Sequence, residues 1–151
     1  KNMSDIDKIK QLRSETFVSY AMCKSALDEA KGDLAKARDI LKRKGAEVAM
    51  KKADRETSEG NVFTYVHHNK KIAAMITLLC ETDFVAKNDG FQDLGNGLAM
   101  HIASTNPEDK DALMKSPFIK DTSSTVDQLI KDLILQLGEN ISIGEFARFE
   151  V

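Results

Sequence analysis

The sequence predicts an α+β fold, an N-terminal three-helix unit followed by an antiparallel sheet with helices on one face. Three observations predict it. Apolar residues recur at helical spacing over roughly the first 45 positions, alternate with a period of two from Val62, return to helical spacing after Asn88 and alternate again from Ile141. Charge divides at about the same place, with 14 basic and 11 acidic residues in 1–60 against 8 and 13 in 61–151. The 151 residues, 42% hydrophobic and 30% charged, suffice for one ordinary domain or two small ones. The chain accordingly divides into a helical domain at 1–48, a linker at 49–60 and an α+β core at 61–151.

Each element has local signals. Ile6, Ile9 and Leu12 follow Ser4, an N-cap with Asp7 three residues on. A second helix is expected over Ser19 to Ala30, with Met22, Ala26, Leu27 and Ala30 inward and Gly32 past its end. Asp33 caps a third, whose face is Leu34, Ala37, Ile40 and Leu41 and whose expected stop is Gly45. Three helices of this length bury little surface and are marginal alone. Val62 to His67, the polar His68-Asn69-Lys70 and the run Ile72 to Cys80 read as a hairpin whose second strand is central. Asn88 caps a helix carrying Phe91, Leu94, Leu98 and Ile102 that ends before Asn106-Pro107, and a short helix is expected at Glu108 to Met114. Ser124 with Asp127 resembles a capping box ahead of the stripe Val126, Leu129, Ile130, Leu133, Ile134 and Leu137, which Gly138 terminates. A last strand is expected to carry Ile141, Ile143, Ala147, Phe149 and Val151 on one face, interrupted by Glu145.

Several function classes are disfavoured. A net charge of −2 argues against nucleic acid as the principal partner. The longest apolar run is far short of the roughly 20 residues that span a bilayer, so no membrane association is expected. Two separated cysteines, Cys23 and Cys80, suggest neither a disulfide framework nor a zinc site, and both read as buried small hydrophobes in a reducing compartment. His67 and His68 fall at a strand end, where adjacent side chains diverge, and His101 reads as a boundary residue on a helix. No Gly-rich phosphate loop occurs, so no nucleotide, metal or cofactor of its own is expected. The supply of catalytic groups is too thin for an enzyme.

One stretch stands out. In Glu81-Thr82-Asp83-Phe84-Val85-Ala86-Lys87-Asn88, apolar Phe84 and Val85 lie in what should be a polar turn between a buried strand and a helix start. Taken alone, they either fold back onto the core or present an aromatic anchor to a partner. Thr82 to Asn88 resembles the signature of the translation elongation factor Ts family. Cys23-Lys24-Ser25-Ala26-Leu27 with Gly32-Asp33, then Lys51-Lys52-Ala53, then Gly138-Glu139-Asn140-Ile141 fall in the matching order and extend the resemblance over almost the whole chain.

The resemblance implies a helical domain similar to ubiquitin-associated domains and a single core subdomain without the long helical insertion of larger members. It implies a guanine-nucleotide exchange factor for elongation factor Tu, in the cytoplasm or an organelle matrix, with a homodimer formed through the core. By the same resemblance Thr82, Asp83, Phe84 and Val85 form the tip that enters the GTPase and disturbs its magnesium and phosphate site. Leu137, Gly138, Tyr20 and Ala21 supply secondary partner contacts. Phe17-Val18-Ser19-Tyr20-Ala21 stands where the family usually has a Gly-rich, Met-containing turn, and Gly144-Glu145 where basic residues are common. An adaptor that binds peptides through its helical module leaves Phe84 unexplained. An enzyme reading would use Cys80 with a histidine.

Overall fold

Short polar side chains set the helix starts. In this computed structural model, which describes residues 2–151, the Ser4 hydroxyl accepts from the Asp7 amide and opens α1 (Asp5–Thr16). Lys1, first in the helical domain read from the sequence, lies outside the described residues. Ser19 caps α2 (Tyr20–Glu29) and Asp33 caps α3 (Leu34–Lys52) in the same way. Ile9, Leu12, Val18, Cys23, Ala26, Leu27, Ala37, Ile40 and Leu41 form the core of this unit. Ile6 and Met22 stay exposed, because Cys23 fills the place expected for Met22. Arg38 makes two hydrogen bonds to Glu15, at 2.7 and 2.9 Å, tying α3 to α1.

Gly45 does not stop α3. It is buried inside the helix, and a Cβ there would come within 3.1 Å of the Lys131 carbonyl oxygen. Its missing side chain lets α3 lie against α7 (Val126–Leu137), which places Leu135 in the core of the three-helix unit. The unit that would be marginal alone is thereby completed by a helix from the far end of the chain.

The hairpin is β1 (Glu59–Val66) and β2 (Ile72–Cys80), and β2 is central in an antiparallel sheet of order β1-β2-β5 with β5 (Ile141–Glu150). Ala74, Ile76, Leu78 and Cys80 point from β2 toward α5 (Asp89–Thr105) and α7. Phe63 on β1 packs against Phe91 of α5 with ring centroids 6.1 Å apart. All the helices of the core therefore lie on one side, as expected of the α+β class.

Four further details differ from the expectation. The terminal strand does not keep one face, because Gly144 and Glu145 together oppose the single residue Thr77, whose hydroxyl accepts from the Glu145 amide. That bulge reverses the alternation: Ile141 and Ile143 face the helices, then Phe146 and Arg148 do, while Ala147, Phe149 and Val151 turn to the open side. The short helix α6 (Lys110–Lys115) starts at the Asp109 cap, later than expected. A two-stranded ribbon, β3 (Pro117–Phe118) with β4 (Asp121–Thr125), was not anticipated, and its pairing extends to Thr125, which caps α7 in place of Ser124. Finally, α4 (Asp83–Ala86) is one helical turn where the sequence suggested a polar turn. Among the described residues no helix is long and apolar enough to cross a membrane.

Candidate functional site

The chain leaves the sheet at Cys80, opposite Ile141, the first residue of β5. Beyond that rung the amides of Glu81 and Thr82 have no strand partner, and the Glu139 carboxylate takes both. Its Oε1 accepts from Glu81 N at 3.1 Å and Thr82 N at 3.0 Å, and its Oε2 accepts from the Thr82 hydroxyl at 2.6 Å. The exchange is reciprocal, since Glu81 Oε1 accepts from Asn140 N at 2.8 Å. Arg55 Nη1 lies 3.7 Å from the same Glu81 oxygen and offsets the proximity of two carboxylates. The Asn140 amide donates to the carbonyls of Ala53 and Arg55, joining the exit of α3 to this knot.

Glu139 reaches Thr82 because of the residue before it. Gly138 ends α7 with φ +75°, and its N–H donates to Ile134 O. The space around its missing Cβ is open, so the left-handed turn alone favours glycine there.

From the knot rises α4. The Thr82 hydroxyl that donates to Glu139 also accepts from Val85 N at 3.4 Å, capping the turn. With about 100° between successive residues, a single turn can send two neighbours inward and two outward. Val85 and Ala86 go in, and Asp83 and Phe84 go out. Phe84 is 85% exposed. Asp83 lies 3.3 Å from Lys87 Nζ, an exposed pair of little energetic weight. Downstream, Gln92 holds Ala86 O at 2.6 Å, and Asn88 caps α5 through Gly90 N and Phe91 N. The tip is thus tied at both ends while its aromatic ring has no enclosure.

The other residues singled out from the sequence fall into two places. Leu137, half-buried, and Gly138, exposed, end α7 immediately before Glu139 and so adjoin the tip. Tyr20 and Ala21 open α2 on the exposed side of the helical unit. Before them, Phe17 closes α1 with φ 55° and stands exposed. Phe17 and Val18 line a groove of about 840 Å³ together with Asn88, Asp89 and Gly90 at the start of α5. The α1–α2 turn and Asn88, the last residue of the signature, therefore border one groove.

The groups considered for catalysis sit in unreactive surroundings. Burial, reinforced by the Glu139 charge, pushes the Cys80 thiol up to about 11, and its Sγ donates to Thr82 O. Burial raises the Cys23 thiol too. His101 is fully buried and not a boundary residue, because Phe118 of the unanticipated ribbon covers it. Its Nδ1 accepts from Ile119 N and its Nε2 meets the Ser116 hydroxyl at 2.7 Å, which satisfies a neutral ring, and burial lowers its pKa. The rings of His67 and His68 do not diverge: they lie past the end of β1, in the turn, 4.2 Å apart, and Tyr65 holds His67 Nδ1 at 2.9 Å. Among the described residues no group of three or more His, Cys, Asp or Glu could hold a metal ion.

The role of Glu139 was not read from the sequence. The signal available was a polar Glu-Asn pair directly after the glycine that ends a helix and directly before the last strand.

Comparison with known proteins bears on this arrangement. A family model described as elongation factor TS matches residues 81–151, which begin at the knot. A protein of Oleidesulfovibrio alaskensis named elongation factor Ts is 38% identical over an alignment of 188 positions, gaps included, covering 95% of this chain and 95% of that protein. Proteins of the same name from Petrotoga mobilis (35% over 191 alignment positions, 97% of each chain) and Thermosipho melanesiensis (34% over 188 positions, 95% of this chain and 96% of that protein) match likewise.

Proposed function

The chain belongs to the elongation factor Ts family, and from that premise we propose that it is a guanine-nucleotide exchange factor for elongation factor Tu. It promotes GDP release during translation elongation by inserting the Asp83–Phe84 tip into the GTPase domain and disturbing the magnesium and phosphate site there. The observation that carries this reading is Phe84 itself, an aromatic side chain left in water on a turn that is capped, anchored and tied at both ends. An exposed phenylalanine on a held turn contributes little to folding, and its gain comes when a partner encloses it.

The task involves no bond-making. Partner binding and nucleotide binding oppose one another, and linkage requires that GDP weaken the factor's affinity by the factor by which the factor weakens GDP's. A nanomolar nucleotide is held by about 12 kcal/mol, and a thousandfold faster release requires roughly 4 kcal/mol off the barrier. Enclosing one phenylalanine supplies about 1.5 to 3 kcal/mol. Phe84 is therefore insufficient by itself, and Thr82, Asp83, Leu137 and Gly138 around the tip, with Tyr20 and Ala21 on the helical unit, share the work. Val85 acts from beneath, as the residue that seats the tip. The helical unit, which α3 carries to Lys52 and not only to 48, serves as a ubiquitin-associated-like domain, 53–58 in place of 49–60 as the connection, and the part from Glu59, where β1 starts, to 151 as the partner-binding core.

The same reading makes the core a homodimer. The sheet side away from the helices exposes Val62 and Val66 of β1, Met75 of β2, Phe149 of β5 and Val151 just past its end, together with the half-buried Ala73 and Leu79. A contiguous apolar face of this kind supports a second copy as its cover.

The test is stopped-flow release of a fluorescent GDP from elongation factor Tu over a concentration series of this protein. Release that accelerates and saturates is expected. A rate unchanged at saturating protein would sink the proposal.

A further inference from the structure

Phe84 is displayed by a helix of four residues. One helical turn fixes several dihedral angles in return for few backbone bonds, here Ala86 N to Thr82 O and Lys87 N to Asp83 O, so such a turn does not persist by itself. Val85 and Ala86 seat its inner side, but hydrophobicity alone favours bringing the Phe84 ring down as well. Directional bonds oppose that collapse, and three of them end on one carboxylate, that of Glu139. Two come from the consecutive amides of Glu81 and Thr82, which sets the direction in which the chain leaves β2. The third comes from the Thr82 hydroxyl and turns its lone pair toward Val85 N, the capping bond of α4. Bonds to an ionised acceptor are the stronger kind.

We infer that Glu139 is the positioning residue of the exchange tip: its carboxylate holds Thr82 so that Phe84 points outward before any partner arrives. Ordering the tip in the free protein removes that cost from the encounter, where it would otherwise subtract from affinity. The inference rests on Phe84 being the inserted side chain. Through Asn140, which hydrogen-bonds the carbonyls of Ala53 and Arg55, the same knot fixes the tip relative to the exit of α3 and hence to the helical unit that carries Tyr20 and Ala21.

A double-mutant cycle separates positioning from a merely structural role. Glu139→Ala, Glu139→Gln, Phe84→Ala and Glu139→Ala/Phe84→Ala are compared with the unmodified protein in GDP release from elongation factor Tu at subsaturating factor, with thermal midpoints recorded for each. Glu139→Ala is expected to slow exchange by at least about tenfold. Glu139→Gln keeps an oxygen for both amides but sets an NH2 group where the Thr82 hydroxyl finds its acceptor, and is expected to lose less than Glu139→Ala, about threefold. In the Phe84→Ala background the Glu139→Ala change should have almost no further effect, because the ring it positions is gone. Amide hydrogen exchange at residues 81–87 should quicken in Glu139→Ala and not in Phe84→Ala.

Folded Glu139→Ala that exchanges at the normal rate while Phe84→Ala is impaired overturns the positioning role and leaves the exchange reading intact. Equal losses in both backgrounds also overturn it, since Glu139 would then act elsewhere. If the unmodified protein releases no GDP, both readings fall. Should Glu139→Ala not fold, Glu139→Gln, which costs the Thr82 hydroxyl its acceptor, takes its place in the cycle: a loss that vanishes in the Phe84→Ala background supports the role, and an equal loss in both backgrounds overturns it.

Discussion

Replacing Phe84 with alanine separates display from packing, and the structure sets both magnitudes. With 85% of its surface in water, the ring gains little from the folded protein. An enclosed phenylalanine buries roughly 200 Å², so the small covered fraction of this ring stabilises the free protein by less than about 1 kcal/mol. In the complex the remainder, about 170 Å², becomes available for burial, and at about 25 cal/mol per Å² this sets a ceiling near 4 kcal/mol. Ordering and imperfect fit reduce it, and about 1.5 to 3 kcal/mol is the working figure. At 1.4 kcal/mol per factor of ten, exchange efficiency should fall by about 10- to 150-fold. The assay pairs a denaturant midpoint with labelled-GDP release at subsaturating factor. A variant destabilised by about 3 to 5 kcal/mol, the cost of emptying a core site, whose folded fraction exchanges normally would refute the reasoning. So would a stable variant with unaltered exchange.

Three other outcomes follow from the same geometry. Met75→Glu places a charge in the middle of the open apolar sheet face, and light scattering should show a monomer at tens of micromolar where the unmodified protein is a dimer; a monomer in both would remove the dimer proposal. Gly95→Ala drives a methyl group into the ring of Phe63, so stability should drop by about 1 to 3 kcal/mol, and an unchanged denaturant midpoint would contradict the close approach of α5 to β1. Asp132 is largely buried, and desolvation raises its pKa despite the Gln128 bond. The folded state then holds the proton more tightly than the unfolded one. The stability this adds is present at low pH and lost as pH rises through the folded pKa. Asp132→Asn should therefore raise the melting temperature at neutral pH, and the gain should vanish below the ordinary carboxylate range; a gain that did not vary with pH would refute the assignment.

Much of this protein is legible in its sequence because much of it is local. Ser4, Ser19, Asp33 and Asn88 cap helices by bonding amides two or three residues away, and Gly138 ends α7 through a bond inside its own last turn. The change of apolar period from helical to alternating marks the hairpin, and its uninterrupted second strand marks the centre of the sheet. The signature stretch was legible as well, although from residues alone it left Phe84 either packed or displayed.

What required the tertiary structure involves residues distant in the chain. Gly45 has the chemistry of a helix stop, and only the approach of α7 shows that its missing Cβ serves packing. Alternation along β5 predicts one face, but the Thr77 hydroxyl opposite Gly144 and Glu145 accommodates an extra residue and reverses every side chain beyond it. His101 is buried because a ribbon with no periodic signal folds over it. The direction of Phe84 was decided in the same way. A single turn has no preferred outward side in isolation, and a carboxylate 57 residues further along the chain bonds the turn's own cap, so that Val85 goes in and Phe84 stays out. Propensity and capping act over a few residues and can be read in order; the orientation of a side chain at a tip depends on which distant donor or acceptor meets the backbone beneath it, and that is settled only when the chain closes on itself.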